Sequence, residues 1–327
     1  MYIYILPYLF VLVVAFLVFF IKNISASRFM FFVSLIPAFI IVIFRGHIGI
    51  DTPVYEAIIR ESYYTGVCRV EPLFCILSNQ LFYLFDDSAI VLRVITAIFC
   101  FLFFIAFSKK INEIVIACIF IFPVYFYDMS TNGIRYGLAF IIFKIFYSNI
   151  KKYVIFSPIH VAIQSSSLIL VALSFMKKIN FKVLIILSCI FSIVIYMGFD
   201  YFNKKLEAYS EYDIPNFYSG ILNFLICFVL LCLYKYFKKI LFKEFLLCLC
   251  YILIFQILSQ FTYAGLRMVQ LMVFYLAIRA TDFFELNKKR SNIYIYIALL
   301  VFGLLYFVNL IRIMANSGYY LPYEFIS

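Results

Sequence analysis

Tryptophan is absent from the 327 residues, histidine occurs twice, and charged residues make up only 13%. So little charge excludes a soluble globular fold, whose surface needs roughly a quarter of all residues charged. Two histidines without a clustered set of further ligands predict no metal site, and no cofactor is expected. None of the nine cysteines forms a C-x-x-C pair. Most fall within apolar runs, where cysteine behaves as a small apolar group. Cys68 and Cys75 lie in a polar segment and leave a bond between them as an option if that segment faces an oxidising compartment. Internal repeats, low-complexity tracts and soluble-domain linkers are also missing.

What remains is apolar. The chain is 67% hydrophobic with a mean hydropathy of +1.07. Runs long enough to cross a bilayer recur from end to end, which predicts an all-α polytopic membrane protein of about 10 to 12 transmembrane helices. One integral membrane domain, 1–327, accounts for the whole sequence. The first run, 2–21, has no basic residues before it and no small-residue cleavage site after it, so it reads as a retained helix. The net charge of +11 does not indicate nucleic-acid binding, because most Lys and Arg sit in short connections between spans, where a positive excess marks the cytoplasmic side. Many of the 28 tyrosines are expected at the interfaces, where tryptophan also collects.

Charge placement orders the spans. Lys22 and Arg28 follow the first run, which puts the N-terminus outside, and a second span, 29–44, returns outward at Arg45. Residues 45–87 form a long outer segment, with a short surface helix at 54–64 and an interfacial apolar helix at 73–85. Spans at 88–107, 111–127 and 134–150 follow. The lysine pairs at 151–152 and 177–178 both stay inside only if 153–176 is a re-entrant or broken helical hairpin, bent near Ile163–Ser166. Non-helical backbone at that depth must line a cavity or be buried in protein. Further spans at 181–198, 218–237, 244–260, 266–280 and 293–311, with a second outer segment at 199–217, leave the C-terminus outside.

The centre of interest is the polar break Asp128–Ala139, where Arg135 opens an apolar run. A charge at a span's rim is costly and asks for a reason. Arg45, Arg135 and Arg267 all follow or begin apolar spans on the outer face, and guanidinium groups match phosphate oxygens with two prongs. Arg93 and Arg312 are expected to pair separately with an outside acid or a lipid headgroup. Asp51 sits in a loop rich in glycine and proline, as a general base or as a turn-capping carboxylate. Glu71 precedes Pro72, as a second acid or an arginine's partner. His160 and Gln164 are four residues apart and share a helix face, which suggests a cavity.

In this order, Arg45-Gly-x-x-Gly-x-Asp51-x-x-x-Tyr55, Glu71-Pro-Leu-Phe74, Asn132-Gly-Ile-Arg135-x-Gly-Leu-Ala139 and Gln164-Ser-Ser-Ser-Leu168 resemble the EpsG-like branch of the Wzy-type polysaccharide polymerases. The resemblance covers most of residues 1–176, and Arg267 is the main candidate match after that. The family pattern has His-x-Ser at the hairpin break, where this chain has Gln164, with His160 one turn earlier. The resemblance implies a polymerase of lipid-linked oligosaccharide repeat units on the outer face of the bacterial inner membrane. Such an enzyme transfers the growing glycan from undecaprenyl pyrophosphate to a hydroxyl of a new lipid-linked unit. A chain-length regulator protein and membrane lipid are the further partners implied. On this reading Asp51 is the first choice and His160 the second for the proton acceptor, and Arg45, Glu71, Asn132, Arg135, Gln164 and Arg267 bind the substrate and its pyrophosphate.

Three other classes compete. A flippase of the same lipid-linked glycan also needs outer arginines, but matched halves or paired interrupted helices, its usual signature, are missing. A membrane acyltransferase acting on sugar hydroxyls needs a histidine oriented by an acid, and neither His47 nor His160 has an acidic neighbour in sequence. A non-enzymatic assembly subunit leaves the outer arginines unexplained.

Overall fold

The computed structural model describes residues 2–21, 23–46, 48–49, 51–147, 150–175, 220–283 and 291–316. The expected span 181–198, the outer segment 199–217, His47 and the lysines at 177–178 lie outside the described residues. The chain is all-α, with no strand among the described residues, and is a multi-pass membrane protein. Six helices among the described residues are long and apolar enough to cross a bilayer: 2–20, 24–43, 88–107, 111–131, 242–259 and 293–313.

The described residues fall into two compact units, 1–167 with 280–327, and 168–279. In the first unit, α1 (Tyr2–Phe20) and α2 (Ile24–Ile43) form an antiparallel start. Asn23 stops the chain between them by accepting the Ser25 and Ala26 amides at 2.9 and 3.3 Å, two of the donors a helix start leaves unmet. Segment 45–87 folds as expected into two short helices, α3 (Thr52–Thr65) and α4 (Pro72–Phe85). Each has a proline in its first turn, where no amide partner is lost. Tyr63 packs on Phe82, with ring centroids 4.7 Å apart, and this joins the two helices. Asp87 caps α5 (Ser88–Phe107) by accepting the Ala89 amide at 2.7 Å.

Cys68 and Cys75 are disulfide-bonded across the α3–α4 turn, with Cα atoms 6.1 Å apart. The sequence left this bond only as an option; the fold makes it by placing the end of one helix beside the start of the next. Closing so short a loop removes unfolded-state freedom worth about 2–3 kcal/mol. Cys75→Ser is therefore expected to loosen this turn while the protein still inserts. The exposed Cys68 thiol is expected to react with an impermeant maleimide on intact cells only after reduction, and labelling at Cys68 without reductant would show that the bond is not formed.

The most enclosed helix runs from Ile111 to Thr131, as α6 (Ile111–Ile116), a π-helical stretch Ala117–Phe126, and α7 (Tyr127–Thr131). Pro123 lies inside the wide stretch. A proline in mid-helix cannot donate to the carbonyl four residues back, and a π-type register is one way a helix absorbs that defect. The rings of Phe122 and Phe126 stack at 4.8 Å, and Phe103 meets Phe126 edge-on at 5.2 Å. Tyr8 lies against Phe307 at 4.0 Å, so the last helix, α14 (Ser291–Asn316), also packs here. The sequence placed the end of this span at residue 127; the helix continues four residues into the polar break.

After the break come α8 (Ile134–Tyr147) and α9 (Ile150–Ile163). The helix then breaks at Gln164, within the expected interval, into a 3-10 turn at Ser165–Ser167 and α10 (Leu168–Phe175). The second unit holds α10, α11 (Ile221–Tyr236), α12 (Phe242–Ser259) and most of α13 (Tyr263–Phe283). Tyr234 donates to the Leu276 carbonyl at 2.8 Å, Tyr275 to the Leu173 carbonyl at 3.1 Å, and Arg279 pairs with buried Glu244 at 2.8 Å. In the first unit, Lys144 pairs with Glu113 at 2.8 Å, with both side chains buried. Such a pair survives burial because each charge offsets the other's desolvation.

Candidate functional site

The site is built on the gap between α7 and α8. A helix end leaves carbonyls without intrahelical donors. Here one of them, Ser130 O, accepts from Arg45 Nη1 at 2.7 Å, and the same nitrogen donates to Val42 O at 2.8 Å. Arg45 is 5% exposed. The sequence expects Arg45 among the residues that bind the pyrophosphate; in the structure one of its nitrogens closes its own helix and fastens that end to the break. Gly49 completes the fastening. Its φ is +98°, and a side chain there would put Cβ 2.9 Å from Asn132 Oδ1. Only glycine suits both the conformation and the approach. Asn132 in turn donates from Nδ2 to Asp128 Oδ1 at 3.2 Å.

Arg135 opens α8 one turn further on. Gly137 lets this turn lie against α5 and α7, since a Cβ there would come 2.6 Å from the Phe99 ring and 2.8 Å from Met129 Cβ. Arg135 Nη1 donates to Glu71 Oε2. The guanidinium lies 5.7 Å from the Tyr55 ring and 5.9 Å from the Phe74 ring, a distance at which ring quadrupoles attract a cation. Glu71 is 5% exposed, and Arg135 is 21% exposed in its side chain. The other carboxylate oxygen, Oε1, accepts from Ser165 N at 3.2 Å and from Ser165 Oγ at 2.9 Å. Glu71 thus joins three segments far apart in sequence: the α3–α4 hairpin, the start of α8 and the break after α9. Of its two expected roles, it takes that of the arginine's partner.

At the break, Ser167 Oγ lies 2.7 Å from Gln164 O and 3.1 Å from His160 O. His160 Nδ1 is 2.8 Å from the same oxygen. The hydroxyl has one proton, and the nearby carbonyls take it, so it accepts from His160 and fixes the proton on Nδ1. The His160 ring is buried and meets Phe143 edge-on at 5.9 Å. Gln164 Nε2 donates to Ser166 Oγ at 3.2 Å. His160 and Gln164 therefore belong to one hydrogen-bonded turn, with Gln164 just past the end of α9 rather than on its face.

Asp51 stands just before α3, half-buried, and its side chain makes no capping bond to that helix. Arg267 lies on α13 in the second unit. Arg69 pairs with Glu61 at 2.5 Å on the exposed surface, and Arg312 is exposed on α14.

Sequence reasoning missed Ser165, Tyr55, Phe74 and the Ser130 carbonyl as partners of the arginines and Glu71. Weak signals existed, since Tyr55 and Phe74 belong to the same motifs as Asp51 and Glu71, and Ser165 follows Gln164.

A family model described as the EpsG family matches residues 27–325. No curated protein and no solved structure matches the chain.

Proposed function

This chain belongs to the EpsG family, whose members are polymerases of the Wzy type, and from that premise we propose that it polymerises lipid-linked oligosaccharide repeat units. The growing glycan leaves undecaprenyl pyrophosphate and is joined to a hydroxyl of a new lipid-linked unit, at the outer face of the bacterial inner membrane. The observation that carries this reading is the Arg135–Glu71–Ser165 junction, a half-buried cation at the break of a membrane helix, oriented by a buried carboxylate. A guanidinium held in this way offers fixed donors to a departing pyrophosphate and needs no reorganisation as charge develops. Glu71 acts as a positioning residue, because a carboxylate in contact with phosphate repels it. Asp51 receives the proton of the acceptor hydroxyl, and Arg267, on α13, is a further candidate cation for the substrate.

The Cys68–Cys75 bond supports an outer placement of the α3–α4 segment, since disulfides persist in oxidising compartments. With that segment outside, charge placement along the chain puts both termini outside. Deletion of the gene in its own host tests the function. Surface glycan one repeat unit long is the expected result, with full chains restored by the wild-type gene. Complete loss of surface glycan would instead indicate export of the lipid-linked unit.

A further inference from the structure

Beside the outer helices, a cavity of about 130 Å³ is lined by Arg45, Glu56, Ala89, Leu92, Arg93 and Thr96, among others. The last four follow helical spacing on α5 and form one face of that span. Sequence reasoning expected Arg93 to pair separately with an acid or a headgroup. The structure places it on the same cavity wall as Arg45, with one carboxylate, Glu56. Arg93 Nε is buried and meets no hydrogen-bond partner among the described residues. A guanidinium cannot shed its charge, so a buried, unmet donor of this kind is poised for an oxyanion.

We propose that this cavity is an anion subsite, distinct from the Arg135–Glu71 junction, and that it takes a phosphate of the acceptor lipid-linked unit. The proposal rests on the polymerase reading, because joining two lipid-linked units brings two lipid diphosphates to one face of the membrane. Depth agrees with a lipid phosphate. Arg93 lies about 8 Å along α5 from the start of that span, the depth of the headgroup layer. Charge agrees as well. Two guanidinium groups and one carboxylate leave the walls at a net single positive charge, which matches one phosphate of a diphosphate diester. Arg45 links the two places, since it lines the cavity and holds Ser130 in the turn before Arg135.

Native mass spectrometry of the full chain in phosphatidylcholine nanodiscs tests this, with a farnesyl-diphospho-N-acetylglucosamine diester as the probe. The wild type is expected to bind two probes. Arg93→Gln is expected to weaken one of them by about tenfold or more. Ala89→Leu keeps both arginines and fills the cavity, and is expected to do the same, which guards against a folding defect in the charge variant. Arg93→Gln and Ala89→Leu chains that both bind as the wild type overturn the subsite. Loss of the Arg93-dependent probe in phosphatidylglycerol nanodiscs, or its displacement by equimolar inorganic pyrophosphate, also overturns it, in favour of a phospholipid or a free phosphate. Arg135→Gln separates this inference from the reading beneath it. An Arg135→Gln chain that binds two probes, with Arg93→Gln binding one, overturns the role of Arg135; the opposite pattern overturns the cavity alone.

Discussion

Arg135→Lys is expected to give a folded, membrane-inserted protein whose polymer output falls by about 10²–10³-fold, the loss typical when a preorganised donor to developing charge is removed. The charge survives this change; the planar fork does not. Arg135 meets Glu71 through one guanidinium nitrogen and lies beside the rings of Tyr55 and Phe74. A lysine ammonium is a compact point charge that still reaches Glu71 but gives up two-pronged binding of phosphate. Glu71→Gln is expected to fall with it, because the arginine loses the charge that aims it and Ser165 loses a charged acceptor. Polymer length on a glycan ladder, at matched protein level, is the measurement. Wild-type ladders from Arg135→Lys would show that this arginine merely reaches for the membrane surface.

The second large effect is expected at Asp51. Asp51→Asn keeps the size and the backbone of the residue before α3, and the side chain makes no capping bond to that helix. If it receives the proton of the acceptor hydroxyl, its loss costs about 10²–10⁴-fold in rate. His160→Ala is expected to act differently. Its Nδ1 is engaged with Ser167 Oγ and its ring is buried against Phe143. Removing it opens a void at the helix break and leaves Ser167 without one partner, so thermal stability falls while the remaining protein still polymerises. Both variants are compared in membranes at equal protein level. Normal polymer from Asp51→Asn together with inactive His160→Ala would exchange the two roles.

The sequence by itself determined the membrane class, the helical segments within residues 45–87 and the helix break near Gln164. These depend on local properties: runs of apolar residues, prolines that withhold an amide, and short polar stretches a bilayer does not tolerate unless they are covered. It also singled out Arg135 as a costly charge that needs a reason, and Arg45 and Glu71 as candidate site residues. Which charge meets which was decided by tertiary structure alone. Glu71 reaches Arg135 across 64 residues and Ser165 across 94. Arg45 reaches Ser130 across 85 residues and becomes a fastening between segments. Lys144 and Glu113 find each other across 31 residues, and Arg93 joins a cavity wall. The physical reason is that a buried charge demands a partner but does not specify its position in the chain; helix packing sets that position.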